Sequence, residues 1–213
     1  MSRVKFVVLL LVSACSGCFH SPPNYPGGGG ENIDPSYYVD AACPELTCQY
    51  DGRGELLDGD ATAQGWARTR RLDNVFPFVR TEEVSAIDEA SRSDAGHFQY
   101  PKYGQVSRIS ERIFRSRFTY PNGKAAVQRF FFEDKNRFVC TGAEGKIAWG
   151  GSSKGGRSEF GPNTSDSMAV LYIDDHGDLI YEKSTQIHTN MLFGAIPTGT
   201  VKHFAKYRFK RIR

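Results

Sequence analysis

From Val106 onward, short runs of apolar and basic residues alternate with turn residues, the pattern of half-buried antiparallel strands. Ile109 to Tyr120 faces Ala125 to Glu133 across Pro121-Asn122-Gly123-Lys124, and Asn-Gly between two such runs is a strong hairpin signal. Arg137 to Thr141 pairs likewise with Lys146 to Gly150, and Met168 to Asp174 with Asp178 to Lys183. The last run, Thr200 to Ile212, puts Val201, His203, Ala205, Tyr207 and Phe209 on one face and Lys202, Lys206, Arg208 and Lys210 on the other. With one or two strands expected between Trp66 and Arg80, the fold class is mainly β: roughly seven or eight strands in an antiparallel meander, forming a β-sandwich or small barrel.

Only one stretch has helical spacing. Thr81 to Arg92 carries a possible N-cap in Thr81, acids in its first turn, and Val84, Ile87 and Ala90 on one face. The Gly-rich run from Gly150 to Gly161 reads as a long surface loop. Residues 31–60 show little periodicity and read as an extended lead-in holding Cys43 and Cys48.

The N-terminus has a different pattern. Met1 to Lys5 is short and basic, Phe6 to Val12 is unbroken apolar, and Ser13 and Ala14 are small, which together describe a secretory signal. Seven apolar residues fall far short of the ~20 that a spanning helix needs. Val12-Ser13-Ala14-Cys15 resembles the lipobox of bacterial lipoproteins, and the resemblance covers these first fifteen residues alone. It implies lipid attachment at Cys15 and a membrane partner through the anchor; two or more acyl chains hold where one does not. Ser16 after the cysteine, where such lipoproteins carry Asp for inner-membrane retention, implies outer-membrane placement in the cell envelope. The alternative is ordinary cleavage after Ala14 and a secreted chain. The expected organisation is a signal peptide at 1–14, a lipidated Pro/Gly-rich tether at 15–36, an acidic lead-in at 37–65 and a β-rich domain at 66–213.

Removing Arg3 and Lys5 with the leader leaves 25 basic residues against 24 acidic, so bulk charge selects no partner and argues against a nucleic-acid binder. The distribution is uneven. Residues 31–60 hold eight acids and one base, whereas 201–213 hold six bases and no acid, which makes Lys206, Arg208 and Lys210 a candidate partner surface. Of five cysteines, lipidation of Cys15 leaves an even four for an oxidising compartment; Cys43 and Cys48 form the shortest loop and are the expected disulfide, Cys140 reads as a buried thiol, and a Cys18–Cys140 bridge stays open.

Candidate chemistry is weaker than its bland counterpart throughout. Gly150 to Arg157 lacks the phosphate-loop pattern, and the Asp174 to Asp178 cluster is what a tight turn wants. Arg108, Arg112, Arg115, Arg117 and Arg129, interleaved with Phe114, Phe118 and Phe130, suit acidic glycans or headgroups but equally a solvated sheet face. Asn163-Thr164-Ser165 fits a glycosylation acceptor and means nothing in a bacterial lipoprotein. His97, His188 and His203 accompany no nucleophile elbow. No catalytic residue, metal ligand or cofactor is assigned. The expectation is a non-enzymatic envelope lipoprotein whose β domain binds a protein, glycan or lipid; the alternative is a lipid-anchored or secreted hydrolase with His97 or His188 as base.

Overall fold

The computed structural model describes residues 41–59, 70–77, 81–111, 113–131, 139–158, 161–191 and 196–212. Among these residues it is mainly β, with two antiparallel sheets and one α-helix. Sheet one has the order β11-β1-β3-β4-β5, with β1 Cys48–Asp51, β3 Tyr103–Ser110, β4 Ile113–Thr119, β5 Ala125–Phe131 and β11 Arg211–Ile212. Sheet two has the order β2-β10-β9-β8-β7-β6, with β2 Glu55–Gly59, β6 Val139–Cys140, β7 Lys146–Ser158, β8 Gly161–Ile173, β9 Leu179–Met191 and β10 Ile196–Phe209.

The two sheets share a corner. β1 passes into β2 through Gly52-Arg53-Gly54, and β10 passes into β11 through Lys210 alone, while β1 pairs with β11 and β2 with β10. One two-stranded ribbon therefore bends from the first sheet into the second, the usual way for sandwich corners to form. The bend depends on bare backbone: a Cβ on Gly52 would stand 1.8 Å from the Pro101 carbonyl oxygen, and one on Gly54 2.8 Å from the Phe209 ring. With β1–β2 and β10–β11 each counted as one bent strand, every strand lies beside its neighbour in sequence except at β5 and β6, which form the outer edges of the two sheets. The result is an up-and-down meander opened at one seam: the sandwich side of the expectation, not a closed barrel.

The core lies between the sheets. Phe114, Phe118 and Phe130 of sheet one and Ile147, Leu171, Tyr207 and Phe209 of sheet two are fully buried in one cluster. Phe76 and Phe114 each stack on Phe130, with ring centroids 5.3 Å apart in both pairs. The expected Asn-Gly hairpin is present between β4 and β5, with Gly123 at φ +79°. The helix, α1, runs Thr81–Ser91 and buries Ile87 and Ala90. It lies along β5, and the Glu83 carboxylate accepts the Arg129 backbone N–H at 3.1 Å, so the outer edge of sheet one is partly closed by a side chain.

Four expectations are corrected. Residues 31–60 are not merely a lead-in, because they supply β1 and β2, one strand to each sheet. Within 66–80 the described residues 70–77 form no strand: Leu72–Asn74 is a 3-10 turn, and Leu72, Val75 and Phe76 fall at helical spacing into the core. The glycine run 150–161 is not a loop, since β7 and β8 pair through most of it. Gly and Ser lack the apolar alternation that marks a strand, and pairing decided what propensity did not.

The disulfide is Cys43–Cys140, not Cys43–Cys48, so Cys140 is no free thiol and no Cys18–Cys140 bridge forms; Cys48 is unbonded. Short-loop closure weighs only the entropy of the unfolded chain. In the fold Cys48 opens β1, paired with Val106, while the Arg108 guanidinium donates to the Cys43 and Pro44 carbonyls at 2.9 and 3.1 Å and holds that segment beside β6.

Candidate functional site

Strands β7 to β10 each run 13 or 14 residues, whereas those of sheet one run eight or fewer. Among the residues whose side chains are described, the buried cluster lies in the half of these long strands near the turn 174–178. Its last row across the sheet is Trp149, Ala169, Lys183 and Ala205, joined by the pairings Trp149–Ala169, Ala169–Lys183 and Lys183–Ala205. Beyond that row β8 continues for eight residues, Gly161–Met168, or about 25 Å at the usual strand rise.

Lys183 is the anomaly in the row. Cross-strand partners share a face, so its side chain leaves the sheet on the side that carries Ala169 and Ala205, both buried, with the Tyr181–Tyr207 pair on its core side. Burial pushes its ammonium below the usual lysine range. Two alanines make room for the long side chain, and Trp149 closes the row from β7, its ring 6.1 Å from that of Tyr181. The next row outward brings half-buried Ser167, Thr185 and His203 onto the same face. The hydroxyl of Tyr207, fully buried one row inward, has no hydrogen-bond partner among the described residues. A half-buried ammonium, hydroxyls and an indole thus share adjacent rows on one face of the sheet, next to the described core. That chemistry suits an anionic group carried on an apolar body. Sequence reading missed Lys183; the signal was a lone lysine on the apolar face of an alternating run.

Lys206, Arg208 and Lys210 lie on or beside β10 as expected, but each faces a carboxylate. Lys206 Nζ is 3.0 Å from Glu182, Arg208 Nη2 is 2.8 Å from Glu55, and Lys210 Nζ is 3.7 Å from the same Glu55 oxygen. Hydrogen bonding to Tyr172 and Glu182 raises the Lys206 ammonium, and the Arg208 guanidinium holds Glu55 below the usual carboxylate range. Much of this strip's positive charge is answered within the domain.

The arginine–phenylalanine mixture is split by the pleat: Phe114, Phe118 and Phe130 are buried, whereas Arg115, Arg117 and Arg129 are exposed on the opposite face. Arg108 packs its guanidinium over Phe114, and Arg112 lies outside the described residues. In the acidic turn, Asp174 Oδ1 accepts the backbone N–H of His176 and of Asp178, both at 2.9 Å, and Asp178 Oδ1 accepts that of Arg211 at 2.7 Å, so two of these carboxylates build the turn and fix β11. Among the described residues no three His, Cys, Asp or Glu side chains group as metal ligands. His97 is exposed after α1 and His203 lies on β10; His188 is a residue of β9. Cys15 and Cys18 lie outside the described residues, and no helix among those described is long and apolar enough to cross a membrane. Comparison of the chain with protein families, with curated proteins and with solved structures finds no match in any of the three.

Proposed function

We propose that the chain is an envelope protein, lipid-anchored through Cys15, whose β domain is a non-enzymatic module that holds the anionic end of an amphipathic ligand at Lys183. The observation that carries the binding reading is the row Trp149–Ala169–Lys183–Ala205, which places a desolvated ammonium at the rim of the core with hydroxyls in the next row. The anchoring half rests on the leader and on Val12 to Cys15.

Each half has its own test. Intact mass spectrometry of the membrane fraction from a bacterial host compares the native chain with Cys15→Ala; a diacyl or triacyl mass on Cys15, lost in the variant, is expected, and an unacylated chain beginning at Cys15 refutes the anchor. For the ligand, Trp149 emission is followed in a Trp66→Phe background while laurate is titrated, with dodecanol as the uncharged control. Saturable change with laurate alone, abolished by Lys183→Met, is expected; equal responses to both probes, or an unaffected variant, refute the site.

A further inference from the structure

The Arg–aromatic cluster behind the helix is a second surface, independent of Lys183. Phe98 and Tyr100 stand two positions apart after α1, at most about 7 Å along the chain. The Arg92 guanidinium carbon lies 4.5 Å from the Phe98 ring centre, that of Arg71 lies 5.5 Å from the same centre, and that of Arg53 lies 5.1 Å from Tyr100. Backbone bridges join Arg53 to Arg71 and Arg92 to Phe98, and the Arg71–Phe98 and Arg53–Tyr100 contacts join the two pairs. Phe98 remains 43% exposed.

The cluster differs from the basic strip on β10 in what holds its cations. There, each one meets a carboxylate. Here, only Arg71 does, through its bidentate pair with Asp73. Arg53 and Arg92 are exposed and have no carboxylate partner among the described residues; aromatic rings hold them instead. A guanidinium stacked on a ring keeps its in-plane N–H donors free and loses little further rotamer freedom when an anion binds. Beside them, the Nε of Arg70 is buried without an acceptor among the described residues.

We propose that this cluster binds an acidic polysaccharide, its carboxylates taken by Arg53 and Arg92. A fluid anionic bilayer attracts basic side chains whatever their arrangement. Guanidiniums held on ring faces, two of them on the one Phe98 ring, present fixed forks that match carboxylates bidentately and so select a carboxylate-bearing chain instead.

The test is retention of the full chain on immobilised polygalacturonate as salt is raised, with phosphatidylglycerol vesicles offered in parallel. Native protein is retained and elutes with salt, and Arg53→Gln with Arg92→Gln is not retained. Phe98→Ala with Tyr100→Ala leaves the net charge unchanged yet weakens binding about fivefold or more, because the guanidiniums lose their platforms. Arg92→Lys, the mildest change to the fold, also weakens it, whereas Lys206→Gln with Lys210→Gln does not. No retention of native protein, binding to vesicles alone, full retention by the ring variant, or an equal loss in the β10 variant overturns the proposal.

Discussion

The Asp73 carboxylate, 1% exposed, joins two side chains that approach it from different segments: the Tyr120 hydroxyl donates to it at 2.7 Å, and the Arg71 guanidinium engages both of its oxygens. It thereby ties the 3-10 turn to the end of β4, and burial, with the Asp73 charge added, pushes the Tyr120 phenol well above its usual range. Removing the carboxylate leaves a half-buried guanidinium and a buried hydroxyl unanswered. Asp73→Ala is expected to cost about 3–5 kcal/mol and Tyr120→Phe, which leaves the ion pair intact, about 1.5–3 kcal/mol. Urea unfolding of both variants checks the order; equal losses would mean that the ion pair contributes little.

Cys43 and Cys140 are 97 residues apart, and Cys140 belongs to β6, the strand of sheet two farthest from the corner. Cutting this link frees a long loop in the unfolded chain, so Cys140→Ser with Cys43→Ser is expected to lose roughly 3–5 kcal/mol. Peptide mapping without reduction should recover a Cys43–Cys140 pair, with Cys48 open to alkylation once the chain is unfolded.

Glu83 occupies a backbone donor on the outer strand of sheet one. Glu83→Ala exposes that donor with little change to the core, so the expected effect is greater self-association at high concentration, seen by light scattering, more than a loss of melting temperature.

Glu55 is an acid whose folded-state pKa is lowered by Arg208 and Lys210. A depressed carboxylate stabilises the fold fully above its unfolded pKa, and the contribution fades as pH falls through the lower, folded value. Glu55→Gln should therefore flatten the acid limb of the stability profile below about pH 4.5 and lower stability at neutral pH. An unchanged acid limb would show that the pair is fully screened.

Much of the sheet pattern was legible because side chains reported it. The β4–β5 hairpin, the turn after Ile173 and the two faces of β10 each carry apolar alternation or a turn residue with a backbone reason to be there. The parts that were not legible depend on partners distant in the chain. Glu55 to Gly59 has no strand pattern of its own and becomes a strand against Ala205 to Arg208, while β7 carries glycine where alternation would have shown. Lys183 left one local trace, a lysine on the apolar face of an alternating run, and the pairing with Ala169 and Ala205 shows that this face is the buried one. The Arg53–Tyr100 and Arg92–Phe98 contacts likewise join positions that no local spacing connects.

The corner sets the order in which the chain can assemble. Among the described residues β2 has β10 as its one strand partner, through residues that lie about 150 positions later, and β1 pairs with β11 at the opposite end of the sequence. Hairpins β4–β5 and β8–β9 close locally and early, but the corner ribbon cannot form until the final strands have been synthesised. Before that closure β1 can pair only with β3, and β2 has no strand to lie on, so the joint between the two sheets is the step that makes one domain of them.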